Sequence, residues 1–135
     1  MNKLFFGAWI SMTVISCTNN SKDIVDKRIT LRTDTINVVK LSDTLVIYQS
    51  SCRGCEFEKS TNFTISDSMN MIKLVDVITT DNSPVDLDGG NIVKDLVLVP
   101  EKPGITIIKL YKFWRMEKTA ADSAGFVSYK IEVKQ

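Results

Sequence analysis

Phe126–Lys134, FVSYKIEVK, alternates apolar Val127, Tyr129, Ile131 and Val133 with polar Ser128, Lys130, Glu132 and Lys134. A period of two sends the first set to one face of an extended chain and the second to the other, as a sheet with one buried and one wet face requires. Further back in the chain, β-rich runs occupy Arg28–Arg32, Ile36–Lys40, Thr44–Tyr48, Met71–Thr79, Ile92–Val99 and Ile105–Phe113, with a weaker one at Asn62–Ser66. Turn-forming clusters separate them, among them Leu41-Ser42-Asp43, Asp81-Asn82-Ser83-Pro84, Asp88-Gly89-Gly90-Asn91, Pro100–Gly104 and Asp122-Ser123-Ala124-Gly125. Seven or eight such strands in about 105 residues, with no long amphipathic helix between them, predict an all-β fold: an immunoglobulin-like antiparallel β-sandwich. Val75, Val77, Leu96, Leu98, Ile108, Leu110 and Ile131 are its expected core. Trp114–Ala121 contains good helix formers but reads as a long hairpin loop.

The first 16 residues, MNKLFFGAWISMTVIS, carry a basic Lys3 and then an apolar run from Leu4 to Ile15 that is too short to span a bilayer. This is the pattern of an export signal. The run ends in Val14-Ile15-Ser16-Cys17, which resembles the lipobox of bacterial lipoproteins. The resemblance implies that Met1–Ser16 is removed, that Cys17 carries lipid, and that the protein is held on a membrane of the bacterial cell envelope, periplasmic or surface-exposed. The polar segment 17–27 then acts as a tether, and residues 28–135 form one domain.

Lys3 is the only charged residue of Met1–Ser16, so its removal takes the formal charge from +1 to 0. A neutral exported domain offers no field for nucleic acid or acidic ligands, and the expected state is a monomer. The chain has no histidine, which excludes Ser-His-Asp and Cys-His catalysis; with no paired carboxylates to argue from, an enzyme is not expected.

Cys52 and Cys55 flank Arg53-Gly54 in QSSCRGCEFE, and Cys17 is the only other cysteine. A four-ligand zinc site lacks both histidine and a second cysteine pair. A redox dithiol needs its first thiol at a helix N-terminus, and Glu56–Thr64 is a poor helix. The expected state in an oxidising compartment is a Cys52–Cys55 disulfide that restrains an exposed loop, with Cys17 consumed by lipid. A redox-active lipoprotein remains the competing reading.

Outward from this loop, Val46–Phe57 is similar to the first binding loop of the chagasin-type cysteine protease inhibitors, a strand followed by Asn-Pro-Thr-Thr-Gly-Tyr-x-Trp. Gly54 falls on the family's glycine, Cys55 on its tyrosine and Phe57 on its tryptophan, while Ser50, Ser51, Cys52 and Arg53 stand where Asn-Pro-Thr-Thr would be. Gly89-Gly90 before a strand resembles the glycine-rich second loop. Lys112-Phe113-Trp114 or, in another register, Arg115-Met116-Glu117 stands for the Arg-Pro-Trp that opens the third. The resemblance implies a sandwich whose three loops wedge into the cleft of a papain-like cysteine protease. Cys52, Arg53, Gly54, Gly89, Gly90, Lys112, Trp114 and Arg115 would lie in those loops, with no cofactor or metal. The alternative is an envelope or adhesion module of the same fold that binds a protein or glycan and inhibits nothing. Asp86 and Asp88 before the glycines are two of the ligands a calcium loop needs, without its closing glutamate, and read as a turn.

Overall fold

The computed structural model describes residues 27–54, 60–81 and 89–135. The expected export signal at residues 1–16, Cys17, the expected tether up to residue 26, Cys55, Phe57, Asp86 and Asp88 lie outside them. The elements are β1 (Ile29–Thr30), β2 (Ile36–Lys40), β3 (Leu45–Cys52), β4 (Asn62–Asp67), β5 (Ile72–Thr80), β6 (Asn91–Pro100), β7 (Gly104–Phe113), α1 (Ala120–Ala124) and β8 (Phe126–Lys134). They form two four-stranded sheets, ordered β1-β3-β6-β5 and β2-β8-β7-β4.

The sandwich is the one the alternation predicts, with a modification at its borders. The β3–β6, β5–β6, β4–β7 and β7–β8 pairs are antiparallel, but β1 runs parallel to β3 and β2 parallel to β8, so both sheets are mixed. The cause is a crossover. β1 ends on one sheet and, after five residues, the chain resumes as β2 on the border of the other. Asn37 holds this crossing. Its side-chain oxygen accepts from the Arg32 amide at 2.8 Å, and its amide group donates to the carbonyls of Arg32 and Lys130, each at 2.9 Å.

Leu45, Ile47, Leu96 and Leu98 of one sheet and Ile108, Leu110, Tyr129, Ile131 and Val133 of the other meet in a shared core. Leu98 is fully buried at the centre of its sheet, paired to Leu45 on one side and Leu74 on the other. Leu98→Ala leaves a cavity bordered by both sheets and is expected to cost about 3–4 kcal/mol in a urea or thermal melt. Val75 and Val77 are not core: they are 48% and 39% exposed. β5 is a border strand, and a register shift between Leu74 and Asp76 breaks its alternation, so the apolar residues beyond it lose the cover that Ile72 and Leu74 have.

The end of the sandwich that carries the β4–β5 turn is fastened by one carboxylate. Asp67 Oδ2 accepts the amides of Met71 at 2.6 Å and Ile72 at 2.8 Å. Its Oδ1 accepts the Met69 amide at 3.0 Å and the Thr106 hydroxyl at 2.6 Å. Asn70 completes this turn with a φ of 49°, a left-handed conformation that asparagine tolerates. Burial alone would push the Asp67 carboxyl up; the bonds from Thr106, Met69, Met71 and Ile72 outweigh it and hold the group below the usual carboxylate range.

Candidate functional site

β3, β5 and β7 finish, and β4, β6 and β8 begin, at the opposite end of the sandwich. This topology gathers the three sequence-predicted loops. Cys52 is the last residue of β3 and pairs with Asn91, the first of β6. The ladder continues one step further, because the Arg53 amide donates to the Gly90 carbonyl at 2.8 Å. Arg53-Gly54 and Gly89-Gly90 are thereby neighbours. Gly54, Gly89 and Gly90 have φ values of 74°, 92° and 100°, a region L-residues with a Cβ rarely adopt, so the glycines are needed for the backbone shape itself.

The structure lengthens β3 beyond the expected Tyr48 to Cys52. Gln49-Ser50-Ser51-Cys52 is polar and carries no apolar alternation, yet every residue of it pairs with β6. Cys52 therefore sits at the end of a strand, where a redox reading expects a helix N-terminus. Cys55 is outside the described residues.

The third loop leaves β7. Lys112 shares the inward face of Leu110, and its ammonium crosses to the other sheet, where it donates to the Ser50 carbonyl at 3.0 Å. This ties the root of the third loop to the strand that carries the first. Trp114 is the first residue past β7 and is half exposed. Asn62, the first residue of β4, donates to the Arg115 carbonyl at 2.9 Å and to the Ser60 carbonyl at 2.8 Å, fixing the loop's second anchor. Of the two alternative registers, Lys112 is thus used as an internal tie, while Trp114 and Arg115 reach the surface.

Beyond them the expected open hairpin loop gives way to α1. Thr119 caps it: its hydroxyl accepts from the Asp122 amide at 3.3 Å, and the Asp122 carboxylate accepts from the Thr119 amide at 2.8 Å. The Thr119 hydroxyl also donates to this carboxylate at 2.6 Å, and that bond, the one from the Thr119 amide and the charge of Arg115 hold the Asp122 carboxyl below its ordinary range. The cap makes the Asp122–Gly125 run a helical turn with Gly125 at its C-terminal cap, where sequence alone gave a plain turn. Trp114, Arg115, Thr119, Ala120, Ala121 and Asp122 line a cleft of about 440 Å³. On the outer face of the same sheet, Lys118 lies 3.9 Å from the Tyr111 ring centroid, and Tyr111 lies 5.7 Å from Phe126, so aromatic packing holds the loop down.

One participant escaped sequence reading. Asp81, directly after β5, pairs with Arg53 Nε at 2.8 Å. In the sequence it is merely the first residue of a turn cluster; only the order β3-β6-β5 brings it near the first loop. Among the described residues no group of three or more acidic, cysteine or histidine side chains is placed to hold a metal ion.

No protein-family model and no curated protein sequence matches the chain. Among solved structures it is similar to the crystal structure of the cysteine protease inhibitor EhICP2 from Entamoeba histolytica, with a TM-score of 0.56, 16% identity, and coverage of 79% of this chain and 96% of that one. It is similar also to the solution structure of amebosin, with a TM-score of 0.56, 13% identity and the same 79% and 96% coverage. At such identities the likeness is one of fold: an immunoglobulin-like sandwich of the kind a cysteine protease inhibitor uses.

Proposed function

We propose that this chain is a lipid-anchored protein of the bacterial cell envelope that inhibits papain-like cysteine proteases, binding as a monomer through the loop end of its sandwich and catalysing nothing. The observation that carries the reading is the gathering of Arg53-Gly54, Gly89-Gly90 and Trp114-Arg115 at one end of a fold shared with a cysteine protease inhibitor. Glycine backbones at positive φ form two parts of this edge, and a half-exposed indole forms the third.

Such an edge suits occlusion of a cleft. Bare backbone approaches an enzyme's substrate groove closely, and a rigid aromatic supplies buried area at small entropic cost. A Cys52–Cys55 disulfide is part of the proposal. It would restrain the first loop where the family uses a proline, and it would strengthen binding by limiting what is lost on ordering. Cys17, carrying the lipid, places the inhibitor on the membrane.

Titration of the purified chain against a panel of papain-like proteases tests this directly. Stoichiometric one-to-one loss of activity, weakened by reductant, is the expected result. Absence of inhibition at micromolar concentration across the panel would leave the fold with another binding role, as an envelope or adhesion module.

A further inference from the structure

The first two loops present a physical difficulty. Gly54, Gly89 and Gly90 have the conformational freedom of glycine, so an edge built on them would sample many shapes and lose affinity on being ordered. Two contacts that restrain them meet at Arg53. Its amide donates to the Gly90 carbonyl at 2.8 Å, and its Nε meets Asp81 Oδ2 at 2.8 Å, where the two side chains are 22% and 38% exposed. Asp81 follows Thr80, which is paired to Val93 of β6. One residue therefore joins the ends of β3 and β5 to the start of β6, and the Lys112 bond to the Ser50 carbonyl fastens the same stretch of β3 to the other sheet.

We infer that Arg53 is a positioning residue locked by Asp81, which fixes Arg53-Gly54 and Gly89-Gly90 as one unit, and that these first two parts of the edge offer their partner a glycine backbone rather than a cation. The inference rests on the inhibitor reading for its functional consequence. It narrows the partner: the matching cleft reads main chain and needs no carboxylate opposite Arg53. Asp81 thereby joins the binding machinery although it lies outside all three loop motifs.

The test compares wild type, Asp81→Asn, Arg53→Gln and the exchanged pair Arg53→Asp with Asp81→Arg, each as the full chain in detergent. Hydrogen exchange at the residue-53 amide and the inhibition constant are both read. Asp81→Asn is expected to speed exchange and weaken inhibition about three- to tenfold while the melting temperature hardly moves, and the exchanged pair to recover most of both. Unchanged exchange in Asp81→Asn would overturn the lock. So would loss of inhibition in Arg53→Gln alone, without loss in Asp81→Asn or recovery in the exchanged pair, because Arg53 would then touch the partner itself. If wild type inhibits no protease, the inhibitor reading falls, and the exchange rates alone uphold or overturn the lock.

Discussion

Gly54→Glu is expected to weaken inhibition at least about 100-fold, equivalent to about 2.7 kcal/mol of binding free energy, while the protein stays folded. The reason lies in two separate properties of the position. At a φ of 74° a side chain strains the backbone, which costs roughly 1–2 kcal/mol. Among the described residues a Cβ built there meets no atom within 4 Å, and the added carboxylate projects from the exposed edge. Gly54→Asn separates the two effects, because asparagine tolerates the left-handed region. If close approach of the backbone is what matters, Gly54→Asn also weakens inhibition, though less, with little loss of melting temperature. Equal inhibition by wild type and Gly54→Glu in one-to-one titrations would remove the first loop from the binding edge.

The parts of this edge differ in how far they can be read from sequence, and the difference is physical. Strands were legible where one face is buried: Val39, Ile47, Leu96, Leu98, Ile108, Leu110, Ile131 and Val133 fall in apolar alternation, and all are buried. At the loop end the inward positions after Ile47 and beyond Leu110 are filled by Gln49, Ser51 and Lys112, so the apolar period stops while the hydrogen-bonded ladder continues. Local pattern accordingly ended β3 four residues early. Val75 and Val77 misled for the converse reason. Their apolar character is that of a β-former on a border strand past a bulge, and burial there is decided by what lies opposite rather than by the period.

Glycine positions of the first two loops could be found from sequence because a positive φ demands them. Their fasteners could not. The Arg53–Asp81 pair and the bond from Lys112 to the Ser50 carbonyl join residues 28 and 62 positions apart and depend on strand order, which short-range chemistry does not encode. The parallel pairings of β1 with β3 and of β2 with β8 have the same origin, since they follow from the chain changing sheets. Thr119 and Asp122 are the intermediate case. Their spacing is that of a capping box, legible in principle, but five helical residues give too little periodicity to distinguish a helix from a turn.

Asp67→Ala is expected to lower stability by about 3 kcal/mol, or a fall of roughly 12–20 °C in melting temperature. The carboxylate accepts four donors, and Met71, Ile72 and Thr106, which supply three of them, are buried, so removing it leaves polar groups without their partner inside the sandwich. Asp67→Asn should be nearly as damaging, because two amides aim at Oδ2 and an amide nitrogen in that place would oppose them. The effect carries a pH dependence of definite sign. The folded carboxyl titrates below the ordinary value of 3.8, so the stabilisation from its charge is fully present above that pH and is lost as pH falls through the lower, folded value. Wild type should therefore lose stability steeply below about pH 4, and Asp67→Asn, already lacking this charge, should lose less over the same interval. Parallel melting curves for the two proteins from pH 7 to pH 2.5 would assign the acid sensitivity to other carboxylates. Inhibition measured near neutral pH should survive either substitution as long as the chain remains folded, because Asp67 fastens the end of the sandwich away from the three loops.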